Sequence, residues 1–410
     1  MEQIRRRTVL GMAGALPFLS AGAARAESAR LAIDRLEVFQ IHVNRRGNWV
    51  LPRLTTASGV SGLGDASQSL NDAQCLTYLK QFADLMKGRP ALDVEWFRRA
   101  VAPTLAKTGA YGRTPAAVAA SALEQCLWDI QGKALSLPCH DLMGGRIQPR
   151  IRLYANINRS TDPRTPDGFA AMAQKAVAAG FDAFKLAPFD DMPRGLHILP
   201  NGGADRVRFE AAMEAGIACA RAVRGVIGPA RDLLVDGHNH FTLSEGIDLM
   251  ARMRPLDLYW LEEVTPAQNA QDLALIRQAA PMPTAGGEAV HGVEGFYPYI
   301  AAGAADIVMP DVKVCGGMLE LKKIAALAEG AGLRCSPHGP ASPIGNAAAA
   351  HVVATIPNFN ILEFSYGEVP WRAELVDPPE RVEGGALVLP NRPGLGLTLN
   401  EKVAAKYAVT

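Results

Sequence analysis

From about residue 150 the chain settles into a repeat that few folds can use: short apolar runs alternate with helical stretches. The runs are Ile151–Ala155, Ala183–Ala187, Leu233–Asp236, Leu258–Leu261, Pro283–Gly286, Ile307–Met309, Leu333–Ser336 and Asn360–Leu362. The helical stretches include 167–179, 206–224, 242–253, 269–279, 316–330 and 344–354. Eight strands separated by helices predict an α/β fold, a closed (β/α)7β barrel of the TIM-like kind. An open doubly wound sheet is the alternative. Its nucleotide-binding forms lose support because no GxGxxG or GxxxxGK[ST] follows any run.

Upstream the pattern differs. Residues 31–43 alternate as a half-buried strand does, and residues 44–62 read as a loop rich in Arg, Gly, Pro and Trp. Helical spacing follows over 71–87, 93–107 and 115–134. We expect an α+β capping domain over 30–148, the barrel over 149–365, and a tail over 366–410 that packs back on the cap. Residues 188–204 look like a loop inserted after the second barrel strand, at the end where barrels build active sites.

Residues 1–26 read as an export signal. Arg5, Arg6 and Arg7 head an apolar run from Val9 to Gly22, and Ala24-Arg25-Ala26 offers a small-x-small cleavage site. The Arg6-Arg7 pair favours the twin-arginine type, hence a periplasmic protein with no membrane attachment after cleavage. An ordinary secretory signal or an uncleaved anchor is the alternative. A net charge of +1 argues against a nucleic-acid partner, which would demand a basic stripe. Six scattered cysteines show no CxxC spacing, so buried thiols are expected rather than a disulfide framework.

Acidic residues end three consecutive barrel runs: Asp236, Glu262 and Glu288. Their equal spacing of one βα unit sets three carboxylates side by side on the rim. Buried like charges repel, and a divalent cation removes the conflict. Hard oxygen ligands suit Mg²⁺, one ion per subunit. The bland reading, three carboxylates capping the next helices, explains each singly but not the matched spacing.

His238 lies two residues beyond Asp236, and alternation along a strand turns it to the same cavity. His240 reads as a surface or supporting histidine. The sixth and seventh runs lead to Asp311 and His338, a carboxylate beside an imidazole, which is the makings of a general base. Glu363, at the end of the eighth run, suits a hydrogen bond to a substrate carboxylate, and Lys185 on the second run offers it a positive charge. Arg45, Arg46, Trp49 and Arg53 on the 44–62 loop, Asn158 and Arg159 past the first run, and His197 in the inserted loop are candidates to touch substrate hydroxyls; solvated loop residues are the equal alternative.

With these residues in place, the chain resembles the enolase superfamily, mandelate racemase subgroup, over nearly its whole length after the signal. The resemblance rests on Ala122-Leu123-Glu124, Leu127-Trp128-Asp129-Ile130-Gln131-Gly132-Lys133, Leu142-Met143-Gly144-Gly145, Leu261-Glu262-Glu263, Gly287-Glu288, Pro310-Asp311 with Gly316-Gly317, and Pro393-Gly394-Leu395-Gly396. Asp236-Gly237-His238 and Pro337-His338-Gly339-Pro340, with Pro343-Ile344-Gly345 beyond, look most like the galactonate and mannonate dehydratases. The resemblance implies Mg²⁺ on Asp236, Glu262 and Glu288, proton abstraction by His338 with Asp311, protonation of the leaving hydroxyl by His238, and a hydrogen bond from Glu363 to the enediolate. It also implies a homo-oligomer. The second Lys of the racemases' Lys-x-Lys is Ala187 here, which argues against a mandelate-like racemase; Val264 replaces a usual Pro. The expected reaction is dehydration of a small sugar acid to a 2-keto-3-deoxy acid. The alternatives are an epimerase or cycloisomerase sharing the enediolate, and a non-catalytic periplasmic binding protein.

Overall fold

Strand β1 (Ile33–Asn44) turns back into β2 (Gly47–Thr56), and β3 (Ser61–Leu63) pairs with β2, giving the sheet order β1-β2-β3. The computed structural model describes residues 29–45, 47–109, 111–192, 203–266 and 268–409; the signal, Arg46 and His197 lie outside them. The loop expected over 44–62 is thus mostly strand. Pro52 hid it, because Pro rarely sits in a central strand. Here β3 pairs only with Arg53–Thr55, and Pro52 contributes its carbonyl to Gly64 N–H at 3.0 Å. Trp49 is consequently buried in the core, and Arg53 pairs with Glu37 and Glu401. Neither lines the barrel mouth.

The three helices of the cap are Asp72–Met86, Val94–Thr108 and Pro115–Leu135. The last begins on Thr114, whose hydroxyl accepts from Ala117 N–H, with Pro in the first turn where its missing N–H costs nothing. This helix is buried along most of its length because it is the middle layer. On one side Gly62 and Gly64 lie so close that a Cβ would meet its carbonyls at 2.1 Å. On the other, Glu124 accepts from Met318 and Leu319 N–H, and Ser121 Oγ from Gly316 N–H. The cap is thereby locked to the barrel loops beside the site.

Eight parallel strands follow: β4 (Ile151–Asn156), β5 (Ala183–Leu186), β6 (Asp232–Asp236), β7 (Trp260–Glu262), β8 (Thr284–Gly286), β9 (Ile307–Val308), β10 (Arg334–Cys335) and β11 (Leu362–Ser365). Each pairs with its chain neighbour through β10, and β11 pairs back with β4. Closure between β10 and β11 runs through Cys335 N–H to Asn358 O and Asn360 N–H to Cys335 O, both 3.0 Å. Helices Pro166–Ala178, Gly203–Ile227, Leu243–Met253, Ala270–Ala279, Gly292–Ala301, Met318–Gly330 and Pro343–Val353 separate the strands, as (β/α)7β requires. Gly292–Ala301 was absent from the sequence reading: Gly292, Gly295 and an internal Pro298 weaken its helical signal. Among the described residues no helix is long and apolar enough to cross a membrane, and the six cysteines are buried and unbonded to one another.

Inside the barrel, Tyr154, Ala183, Leu234, Trp260, Ala285, Ile307, Met309 and Ile361 form a floor. Alternation then places the residue two further along each strand just above it: Asn156, Lys185, Asp236, Glu262, Asp311 and Glu363. The apolar floor is what holds these polar groups at one level.

After β11 the tail adds the pair Ala386–Leu387 to β4 in antiparallel fashion and returns to the cap, where Val409 N–H reaches Gln40 O at 2.9 Å. Asp129 ties the parts together: it accepts from Leu63 N–H, Leu395 N–H and Lys133 Nζ. Gly394, at φ +69°, passes so close that a Cβ would stand 2.1 Å from Asp129 Oδ1. A left-handed residue with a side chain costs roughly 1–2 kcal/mol before any overlap. Gly394→Ala should therefore lower the urea-unfolding free energy by at least about 2 kcal/mol; an unchanged midpoint would show that the tail is not clamped there.

Candidate active site

Asp236 and Glu262 stand opposite one another in the β6–β7 register, and Glu288 follows β8. Glu288 breaks the alternation. Gly287, at φ +104°, makes the turn that brings it inward, and Glu263 supports that turn by accepting from Gly287 N–H at 2.9 Å. All three carboxylates are buried, with one oxygen of each within 4.8 Å of the others. At that separation each charged pair costs on the order of 3 kcal/mol even at an effective dielectric of 20. Burial, then Asp236, pushes the Glu262 carboxyl well above its usual range. Burial acts the same way on Asp236 and Glu288, but neighbouring cations win: His238 and Lys185 hold Asp236 low, and Arg113 and His338 hold Glu288 low.

Lys185 is the cation at the centre. Its Nζ lies 2.5 Å from Glu262 Oε1, 2.9 Å from Asp236 Oδ2 and 3.8 Å from Glu363 Oε1. It thus faces the site's own acids. Burial disfavours its charge, yet those acids raise its pKa well above the ordinary value. Even so, Asp236 Oδ2 and Glu288 Oε2 are buried without a hydrogen bond, though ion-pair contacts lie close. Three clustered carboxylates with two under-satisfied oxygens fit a hard divalent cation.

His338 and Asp311 meet as their strand positions suggested: Nδ1 is 2.8 Å from Asp311 Oδ2. Lys313 grips the same carboxylate, 2.9 and 2.7 Å from its two oxygens. With Nδ1 committed, Nε2 turns to the cavity, 3.0 Å from Glu288 Oε2, 3.1 Å from Arg113 Nη2 and 3.7 Å from Glu363 Oε2. Glu363 accepts from Asn156 Nδ2 at 2.6 Å and Gly339 N–H at 2.7 Å. Burial opposes its charge, but Lys185 and His338 draw its carboxyl down to about 2. In this arrangement it is an acceptor only.

Strand alternation suggested His238, but β6 ends at Asp236. A left-handed turn carries the chain onward: φ is +43° at His238 and +61° at Asn239, and Asp236 Oδ1 accepts from His238 N–H at 2.9 Å. His238 Nε2 then lies 3.0 Å from Asp236 Oδ2, while Nδ1 is bonded to Asp190. Burial disfavours the charged ring, but Asp236 and Asp190 raise its pKa well above normal. His240, two residues on, is buried rather than at the surface.

Two groups were missed by the sequence reading. Asp190 sits in the turn after β5; an acid just past a strand end was its signal, masked by the apparent insertion. Arg113 comes from the cap, bonds Glu288 and faces His338, and only long-range folding could reveal it. Gly112 N–H to Ala289 O, 2.8 Å, anchors its loop beside Glu288. Asn158 supports Asp190, and Arg159 pairs with Glu368 at 2.8 Å, so both serve the loops around the mouth.

The N-terminal part, residues 30–144, matches the family model of the mandelate racemase / muconate lactonizing enzyme N-terminal domain, and residues 168–403 match the enolase C-terminal domain-like model. The chain is 31% identical over 355 residues to D-xylonate dehydratase of Haloferax volcanii, covering 86% of this chain and 83% of that protein. It is 31% identical over 394 residues to a D-galactonate dehydratase family member of Streptomyces bingchenggensis, covering 91% and 93%. A solved mandelate racemase/muconate lactonizing enzyme-like protein from Rubrobacter xylanophilus has a TM-score of 0.82, at 31% identity over 93% of this chain and 98% of that one. The chain belongs to the enolase superfamily, in its mandelate racemase group among the sugar-acid dehydratases, and is a hydro-lyase.

Lys185→Met removes the one cation that touches both Asp236 and Glu262 among the described residues. Breaking a buried pair typically costs 3–5 kcal/mol, and protonation of Glu262 limits the loss. Urea unfolding in EDTA should show about 3 kcal/mol lost, with part restored by Mg²⁺; a loss under about 1 kcal/mol would mean the carboxylates are not ionised together.

Proposed function

We propose that this protein is a Mg²⁺-dependent dehydratase of a polyhydroxy acid of the aldonate type, yielding a 2-keto-3-deoxy acid. One observation carries the reading: two Asp–His pairs stand on opposite sides of the barrel mouth. His238 follows β6 and His338 follows β10, four strands apart in either direction around an eight-stranded ring. A base on one side and an acid on the other is what removal of a proton and a hydroxyl from adjacent carbons requires.

Asp236, Glu262 and Glu288 would hold the ion, and the acidic triad is of the kind with which enolase superfamily members bind Mg²⁺. The bound cation supplies positive charge to the oxygens of the substrate carboxylate, where negative charge grows during proton loss. His338 Nε2 takes the proton α to that carboxylate, and Asp311 orients the ring and stabilises the imidazolium. Lys185 and Arg113 add fixed positive charge around the enediolate. Glu363 is ionised in the free site; a substrate carboxylate bound beside it would raise its carboxyl, so that it takes up a proton from solvent on binding and donates a hydrogen bond to the enediolate. His238 gives its proton to the departing hydroxyl, without which hydroxide is too poor a leaving group. The resulting enol becomes the keto acid.

The 31% identity to a D-galactarolactone cycloisomerase of Agrobacterium fabrum, over 70% of this chain, keeps one competing outcome in the test: an enediolate without loss of water. The Arg6-Arg7 pair, the apolar run and Ala24-Arg25-Ala26 support export and work in the periplasm. Family resemblance supports a homo-oligomer.

The mature protein with Mg²⁺ and a panel of sugar acids should form 2-keto-3-deoxy acid, detected with semicarbazide, and EDTA should abolish it. His338→Ala should lose α-proton exchange with D₂O, seen by NMR, as well as dehydration. His238→Ala should lose dehydration by 10²–10⁴-fold, the usual worth of a general acid, yet keep exchange. Exchange without dehydration in the wild type would replace elimination by isomerisation, and retention of both reactions in either variant would sink the assigned roles.

A further inference from the structure

We propose that Asp190 is the positioning residue that makes this site eliminate water rather than merely exchange the α proton, by holding the His238 ring with Nε2 toward the substrate. The inference rests on the dehydratase reading above and assigns a part of the reaction to a residue outside the strand ends.

The two histidines are fixed in different ways. The His338 side chain is 3% exposed, so packing restrains it before Asp311 adds its bond. The His238 side chain is 31% exposed and sits on a left-handed turn at the open side of the mouth. Packing restrains such a ring less than it restrains His338. A hydrogen bond must do what packing does not. Asp190 provides it at Nδ1, which leaves Nε2 as the nitrogen that faces the site, 3.0 Å from Asp236 Oδ2. A carboxylate bonded to one ring nitrogen sets both the tautomer and the direction of the other.

Asp190 is itself held from outside the site. Asn158 Nδ2 donates to its Oδ2 at 2.9 Å, and Arg164 Nη2 approaches that oxygen at 3.4 Å. Arg164 also donates to Ala187 O at 2.7 Å and Asn158 Oδ1 at 2.7 Å, fastening the turn after β5 to the loop after β4. The carboxylate therefore has a rigid mount, as Asp311 has in Lys313. Asp190 thus bonds the imidazole while Asn158 and Arg164 hold its other oxygen.

The test compares two rates in one sample: 2-keto-3-deoxy acid formation and α-deuterium incorporation from D₂O. Asp190→Asn should lower dehydration at least about 10²-fold, chiefly in kcat, with exchange within about threefold of wild type, because His338 is untouched. Retained exchange also certifies the fold. Asn158→Ala, which loosens Asp190 without removing its charge, should shift the partition the same way by a smaller factor, and it decides the matter if Asp190→Asn does not fold. Unaltered dehydration in the folded variants, or an equal fall of both rates, overturns the inference. A wild type that does not dehydrate sinks the functional reading and this inference with it; an active wild type with an unaffected Asp190→Asn sinks this inference alone.

Discussion

Three buried carboxylates within 4.8 Å of one another cannot all be ionised without compensation, and much of this molecule is arranged around that fact. Lys185 lies between two of them, and Arg113 and His338 meet the third. The compensation is incomplete: the Glu262 carboxyl remains well above its usual range, and two carboxylate oxygens make no hydrogen bond. Such a site gains free energy from a divalent cation because folding has already met the cost of bringing the acids together.

The scaffold explains how that cost is met. The apolar floor from Tyr154 to Ile361 is an ordinary packed core. Six of these floor residues are followed two positions further along by a residue of the polar layer, and Glu288 joins that layer one residue past Gly287. Moving an acid away from its neighbours would mean shifting its strand register, and a register shift would expose floor residues. The cap closes the same region from the side. Its long helix is pinned to the barrel by Glu124, and its Tyr111–Thr114 loop delivers Arg113 to Glu288 and His338 together.

Around this centre the two Asp–His pairs are alike in chemistry and unlike in setting. Asp311–His338 is buried and backed by Lys313; Asp190–His238 stands at the open side and is backed by Asn158 and Arg164. A base that acts on a carbon acid benefits from exclusion of water, since its task is hard and its target must not be bypassed. An acid at the leaving group works where water departs. The asymmetry of exposure follows the asymmetry of the proposed reaction.

Local periodicity alone determined the barrel, six of its seven helices and the level of Asp236, Glu262, Asp311 and Glu363, because alternation along a strand and one βα unit between strands are properties a linear chain displays. It also placed Lys185 in the site, though not its partners. Where local rules conflict, the chain misleads: Pro52 disguised β2, and Pro298 disguised a barrel helix. His238 was found by an argument from strand alternation, whereas a left-handed turn puts it there. Asp190 left a faint signal, an acid just past β5, that the apparent insertion masked; Arg113 left none. Their partners are 48 and 175 residues away in the chain, and nothing local records a contact made across it. The tertiary structure alone decided which charges meet, and so which carboxylate holds which histidine, because those contacts exist only after the sheet closes and the cap docks.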